Sequence, residues 1–139
     1  MTASETRSLI IERELPHPPE KIWRALTQSS LIQQWLMQND FQPTIGHRFN
    51  FRSTPVAGWD GVIDSEVLVV EPNKKLSYSW GTLGLGTVVT FTLTPTATGT
   101  QLHLEQSGFH ADEERNFKGA KYGWQNFLNS LDQVVAKLD

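Results

Sequence analysis

The chain has 139 residues, no cysteine and a formal net charge of −3. This length fits a single domain over residues 1–139, with a core supplied largely by seven Phe, five Trp and two Tyr. The absence of cysteine excludes disulfides, thiolate zinc sites and cysteine nucleophiles, and the interspersed charges form no basic face for nucleic acid.

The amino-terminal sequence, MTASETRSLI, contains no apolar run of the kind found in a signal peptide. No stretch of the chain approaches the roughly 20 apolar residues that a membrane-spanning helix needs. We therefore expect a soluble, cytoplasmic protein that is not inserted into a membrane.

The first predicted strand covers residues 7–14, RSLIIERE, which contain a β-branched pair. The proline-rich segment at residues 16–19 cannot continue a ladder and favours the start of a helix. In the short helix that follows, Ile22, Trp23 and Leu26 share one side.

A second short helix is predicted at residues 31–36, LIQQWL. Ser30 and Gln33 have the spacing of a capping box, which would start the helix at this point. The helix would turn Leu31 and Trp35 towards the core.

Five further strands are predicted, at residues 47–52, 61–70, 76–80, 87–94 and 100–107. Apolar and polar residues alternate in most of them, as in strands with one buried face. Short turn-forming segments separate them, so neighbouring strands should be antiparallel. The order is strand, two short helices, a meander and one helix.

That last helix is predicted at about residues 112–137. Large side chains recur along it at spacings of three and four, which places them on one face: Phe117, Lys121, Trp124, Leu128, Leu131, Val135 and Leu138. The second half of this stripe is aliphatic and is typical of core, whereas the first half is typical of a cavity wall. The predicted class is α+β, with a six-stranded antiparallel sheet that curls around the helix.

The chain resembles the START-like, helix-grip (SRPBCC) superfamily, in the branch of homologues of the activator of the heat-shock-protein-90 ATPase. The segments that carry the resemblance are PEKIWRALT at 19–27 followed by Trp35, EV at 66–67, EP at 71–72, LSYSW at 76–80, GTQL at 99–102, SGF at 107–109, and GW at 123–124 with Leu128 and Leu131. The resemblance implies a cavity between sheet and helix. It implies little chemistry, because members bind lipids, sterols, hormones or polyketides, and some are catalysts.

Strand parity and helix phase predict which residues line that cavity. They are Trp35, Phe49, Phe51, Val67, Tyr78, Trp80, Val89, Phe91, Gln106, Phe109, Phe117, Lys121 and Trp124. The alternative is that the aromatic residues simply fill the core.

Three of these side chains are polar. Lys121 could pair with an anionic ligand or with Asp64 or Glu66, or its amine could reach solvent. Tyr78 and Gln106 could orient a ligand by hydrogen bonds, or they could satisfy each other or a buried water.

No familiar catalytic pattern is present. The four histidines lack the spacing of paired metal ligands, and the sequence contains no GxSxG elbow, Walker loop or nucleotide-binding GxGxxG. We predict no catalytic residue, no metal and no cofactor, and regard an enzyme as the less favoured class.

Two hypotheses remain. In the first, the protein binds an apolar or aromatic small molecule, such as a lipid or polyketide, in the cavity. In the second, it is a chaperone-associated interaction domain. A cyclase or hydrolase acting in the same cavity is a weaker third reading.

Overall fold

The computed structural model of the protein describes residues 6–54, 60–82, 85–110 and 114–138, without the side chains of residues 6, 82, 85 and 116. The elements follow the predicted order. Their bounds are β1 Thr6–Leu15, α1 Pro19–Thr27, α2 Ser29–Trp35, β2 Gln38–Asn39, β3 Arg48–Arg52, β4 Val62–Glu71, β5 Lys75–Thr82, β6 Leu85–Thr96, β7 Gly99–His110 and α3 Glu114–Ala136.

Within these residues one antiparallel sheet has the strand order β1-β7-β6-β5-β4-β3-β2. It has seven strands, so the prediction of six was wrong by one. The additional strand, β2, pairs Gln38 and Asn39 with Arg52 and Phe51 of β3. Two residues are too few for a detectable alternation of apolar and polar side chains, which is why the sequence did not indicate this strand.

The start of α2 also differs from the prediction. Its N-cap is Gln28, which makes no side-chain capping bond, so the predicted capping box of Ser30 and Gln33 is wrong. The helix is held by Trp35 instead, whose indole Nε1 donates a 2.8 Å hydrogen bond to the backbone carbonyl of Ala25 in α1. This bond joins the two short helices through a buried side chain.

The predicted strand parity is confirmed in β7, where Leu102, Leu104 and Gln106 are buried while His103 and Glu105 are not. The alternation then shifts at Gly108, whose φ of +103° lies in the region that favours glycine. Because β1 and β7 change register at this bulge, Phe109 also turns inward.

Helix α3 packs against the concave face of the sheet. Its buried residues, Trp124, Leu128, Leu131, Val134 and Val135, face the buried side chains of the strands. Among the described helices, none has the length and apolar content needed to cross a bilayer.

Polar contacts fasten α3 along its length. Near its carboxyl end, the imidazole Nε2 of His17 lies 2.7 Å from a carboxylate oxygen of Asp132. In its middle, Arg13 of β1 donates a 2.7 Å hydrogen bond to Asn129. At its start, Arg7 pairs with Glu114. The helix is therefore tied to β1 and to the segment that follows it.

Candidate functional site

The inner face of the sheet carries a group of aromatic rings that we call the aromatic cluster. Its members are Phe41, Phe49, Phe51, Tyr78, Trp80, Phe91 and Trp124, and all of them are buried. Neighbouring ring centroids are 5.1–6.5 Å apart, mostly in tilted or edge-to-face arrangements, which aromatic pairs prefer. The cluster exists because alternate residues of β3, β5 and β6 point to the same side.

Trp124 connects the cluster to α3. Its ring centroid lies 5.1 Å from that of Trp80 and 5.9 Å from that of Phe91. Phe91 in turn contacts Trp35 of α2 at 6.3 Å. Ring contacts therefore link the sheet with α3 and with α2. A molecule held between these three elements would contact the same rings.

A buried hydrogen-bond network crosses the same region. The indole Nε1 of Trp124 donates to the side-chain carbonyl oxygen of Gln106 at 2.8 Å, and the amide nitrogen of Gln106 donates to the hydroxyl of Thr87 at 2.8 Å. That hydroxyl donates to the backbone carbonyl of Trp80 at 3.0 Å. Gln106 is thus satisfied by Trp124 and Thr87, and not by Tyr78 as one reading of the sequence suggested.

Tyr78 lies at the centre of the cluster. Its ring is 5.5–6.5 Å from those of Phe49, Phe51 and Trp80. Burial disfavours the phenolate and raises the pKa of Tyr78 well above its ordinary value. The phenol is therefore neutral at physiological pH, and it can donate a hydrogen bond but cannot serve as a base.

Ser65 in β4 is a further buried polar side chain on this face. It is 5 % exposed and lies between the inward residues Ile63 and Val67, opposite Phe49 of β3. No hydrogen-bond partner for its hydroxyl is found among the described residues. Neither Ser65 nor Thr87 was among the predicted lining residues, although strand parity places both on the inner face.

The predicted lining residues fall into three groups. The first group is buried and contains all the predicted strand residues together with two tryptophans of the helices. Its members are Phe49, Phe51, Val67, Tyr78, Trp80, Val89, Phe91, Gln106, Phe109, Trp35 and Trp124. Phe117 is half-buried, with its ring 5.2 Å from that of Phe109 and the guanidinium of Arg7 stacked 3.8 Å above it.

Lys121 does not face the interior as predicted, because its side chain is exposed to solvent. The inner side of this part of α3 is occupied instead by Ala120 and Trp124. A lysine at the edge of an apolar stripe can direct its amine outward at little cost. The structure thus agrees with the alternative in which the amine of Lys121 reaches solvent, and not with a buried cation.

Among the described residues, no three histidine, aspartate or glutamate side chains lie close enough together to hold a metal ion. The surface has an open groove of about 340 Å³ lined by residues 16–19, 95, 96, 98 and 99, and another of about 300 Å³ lined by residues 38 and 52–54. No member of the aromatic cluster lines either groove. The buried side chains of the inner face, by contrast, are aromatic rings and aliphatic groups with a few neutral hydrogen-bonding groups.

Residues 16–136 match the model of the family described as Activator of Hsp90 ATPase homolog 1-like protein. The chain belongs to this family. The match covers most of the chain, from the proline-rich segment to the end of α3, and confirms the resemblance seen in the sequence. A search of curated proteins finds no match.

Solved structures of similar proteins share the fold of this family member. Protein MLL2253 from Mesorhizobium loti is 53 % identical, with a TM-score of 0.89, over 96 % of this chain and 99 % of that one. Protein BH1534 from Bacillus halodurans is 28 % identical, with a TM-score of 0.79, over 93 % of this chain and 96 % of that one. DynU16, a protein in the dynemicin biosynthetic locus, is 25 % identical, with a TM-score of 0.79, over 94 % of this chain and 47 % of that one.

Proposed function

We propose that the protein binds a small apolar or aromatic molecule between the sheet and α3. The observation that carries the proposal is the position of Trp124, which joins the aromatic cluster and the buried network of Gln106 and Thr87. The network pairs the Gln106 amide and the Thr87 hydroxyl and so holds both polar groups in fixed positions beside the rings. Rings beside fixed polar groups are the usual composition of a ligand pocket.

The family supports the same proposal. DynU16 is a protein in the dynemicin biosynthetic locus, which is consistent with a small organic molecule as the ligand of this fold.

A chaperone-associated interaction domain is the second candidate. Such a domain would present an apolar surface, but the large exposed apolar side chains among the described residues are few. Ile45 and Leu68 lie on adjoining backbone, whereas Ile10 is in β1 and Tyr122 in α3. Isolated side chains of this kind are normal on a protein surface, so we rank this function lower.

Catalysis in the same region ranks third. A cyclase or hydrolase would need a group able to accept a proton. The buried polar side chains among the described residues are a neutral phenol, two amides and hydroxyls. They can orient a ligand, but none of them is a general base.

The test is an amide and indole NMR titration with a fatty acid, a sterol, a flavonoid and an aromatic polyketide. We expect at least one compound to cause saturable shifts at the indole signals of Trp80 and Trp124, assigned with single Trp→Phe variants. Trp124→Leu should weaken this binding by about tenfold or more, because a buried Trp at the centre of a binding site is a frequent hot spot, and truncating a hot spot costs about 2 kcal/mol or more.

The control is Trp23→Leu, which removes a half-buried tryptophan of α1 that lies outside the aromatic cluster. It should leave the affinity unchanged. The proposal fails if no compound shifts the spectrum of the folded protein, or if both variants bind equally well. Binding that Trp124→Leu does not weaken would place the site elsewhere.

A further inference from the structure

The hydroxyl of Ser65 is buried, and no residue that the structure describes provides it with a hydrogen-bond partner. Most buried polar atoms in proteins have a hydrogen-bond partner, and one without a partner destabilises the fold. Alanine would fill nearly the same space at this position without that cost. A hydroxyl at 5 % exposure on the inner face is therefore suited to a partner that arrives from outside the chain.

Backbone N–H and C=O groups of a sheet lie in its plane and bond along the ladder, so those of the described strands are directed away from the Ser65 hydroxyl on the inner face. The pairing of β4 with β5 runs from Asp64 opposite Gly81 to Val67 opposite Tyr78. Between these pairs, the backbone N–H of Glu66 donates to the hydroxyl of Ser79 at 2.8 Å. The Ser79 hydroxyl thus accepts a backbone hydrogen bond on the outer side, whereas on the inner side the Ser65 hydroxyl has no partner among the residues described.

The groups beside Ser65 indicate the class of molecule. Its cross-strand partner is Phe49, and Phe51 pairs with Ile63 two residues away. Both rings contact Tyr78 and belong to the aromatic cluster. A molecule that reaches the Ser65 hydroxyl therefore lies against aromatic rings, which favours a flat aromatic body.

The charge of the region restricts the ligand further. The described inward residues of β3 to β7 are apolar or neutral, and the lysine predicted to lie among them is exposed. A carboxylate buried there would have no cation to pair with, which is strongly unfavourable. A free fatty acid is thus disfavoured relative to a neutral molecule.

We propose that Ser65 is the hydrogen-bonding anchor of the ligand and that the ligand is a neutral aromatic molecule with a phenolic hydroxyl or ring carbonyl. This inference rests on the proposed function, because it specifies the ligand of the same site. Phenolic and ketonic oxygens both suit a serine hydroxyl, which can donate and accept.

The experiment compares 2-naphthol, naphthalene and 2-naphthoate, which share one aromatic body and differ in the polar group. Affinities are measured by NMR titration on the wild type and on Ser65→Ala. We expect the wild type to bind 2-naphthol about tenfold more tightly than naphthalene, as one hydrogen bond allows, and 2-naphthoate least tightly. Ser65→Ala should bind 2-naphthol and naphthalene equally, with its naphthalene affinity unchanged.

Ser77→Ala is the matched control. Ser77 is a buried serine in the neighbouring strand, 4 % exposed, whose hydroxyl lies 3.1 Å from that of Thr90. This variant should keep the preference for 2-naphthol. Thermal unfolding provides a second readout, because Ser65→Ala removes an unpaired hydroxyl and should melt no lower than the wild type.

The outcomes separate the two proposals. If the naphthalenes bind but the preference for 2-naphthol is absent, or survives in Ser65→Ala, the role of Ser65 is wrong and the binding function stands. Tightest binding of 2-naphthoate would overturn the neutral ligand. If neither naphthalenes nor the wider panel of compounds binds the wild type, the proposed function fails, and this inference fails with it.

Discussion

The indole nitrogen of Trp124 and the side-chain carbonyl oxygen of Gln106 are 2.8 Å apart, although one residue is in α3 and the other in β7. Both side chains are almost fully buried. This bond fixes the rotation of the helix relative to the sheet, since a turn of α3 about its axis would leave the indole N–H without an acceptor. It also sets the position of the indole that links the aromatic cluster to α3.

Replacing Gln106 tests this relationship. Gln106→Leu should lower the free energy of unfolding by about 1–3 kcal/mol, because the buried indole N–H of Trp124 loses its acceptor. Gln101→Leu, at an exposed position of the same strand, is the control and should change it by less than about 0.5 kcal/mol. Urea unfolding measures both, and equal effects would show that the network contributes little.

Two glycines should respond to alanine with opposite signs. At Gly108, φ is +103° and an added Cβ would lie 3.0 Å from the carbonyl oxygen of Gly86, so Gly108→Ala should destabilise by about 1–3 kcal/mol. Gly119 in α3 has open space around it, so Gly119→Ala should stabilise by up to about 1 kcal/mol. Thermal melting distinguishes the two, and a neutral Gly108→Ala would contradict the bulge at this position.

The raised pKa of Tyr78 predicts a loss of stability in alkali. Below the ordinary tyrosine pKa of 10.0 the phenol is protonated in both the folded and the unfolded chain and adds no pH dependence. Above it only the unfolded chain releases the proton, so stability should fall by about 1.4 kcal/mol per pH unit from this group. Tyr78→Phe should remove that contribution.

The measurement is urea unfolding at several values of pH. A Tyr122→Phe background leaves Tyr78 as the remaining tyrosine of the chain, so phenolate absorbance then reports on Tyr78 alone and should appear together with unfolding. Phenolate formation in a chain that is still folded would show that Tyr78 is accessible to solvent.

The helix packing predicts large effects at two apolar positions. Leu131→Ala and Trp35→Ala should each cost about 3 kcal/mol or more, because both side chains are buried and their removal leaves a cavity. Trp35→Ala also loses the bond to Ala25. Tyr122→Ala, at a residue of α3 that is 72 % exposed, is the control for the helix. Melting temperatures equal to that of the wild type would contradict these core positions.

Lys121 is expected to tolerate an apolar replacement. Lys121→Met should change neither the free energy of unfolding nor the affinity for any ligand, because the side chain is exposed. Chemical unfolding and the NMR titration check both expectations. A ligand affinity weaker than that of the wild type would show that Lys121 contributes to binding.

Much of the fold could be predicted from periodicity, because large apolar residues at spacings of two or of three and four must share a face. This rule correctly placed Leu104 in the sheet and Leu131 in α3 as buried residues. It failed for Lys121, since helix phase gives the direction of a Cα–Cβ bond and not the path of a long, flexible side chain. It could not detect β2, which is held in place by backbone pairing.

The candidate site was predicted less completely than the fold. Thr87 and Ser65 have the parity of inward residues, but small polar side chains carry no hydrophobic signal and were left out. Phe41 was missed because it follows β2 in a connection with no regular period. Which polar groups bond to each other depends on distances between elements after packing, and the bond between Trp124 of α3 and Gln106 of β7 is an example.

The strand order has a consequence for how the chain is made. The first strand to leave the ribosome, β1, pairs with β7, the last strand to be synthesised. Nearly the whole chain must therefore be translated before β1 can join the sheet, and α3, which covers the concave face, emerges later still. Pairings between such distant segments slow folding and leave apolar strand faces exposed in the meantime. The nascent chain is consequently most open to aggregation or chaperone capture until its final helix has docked.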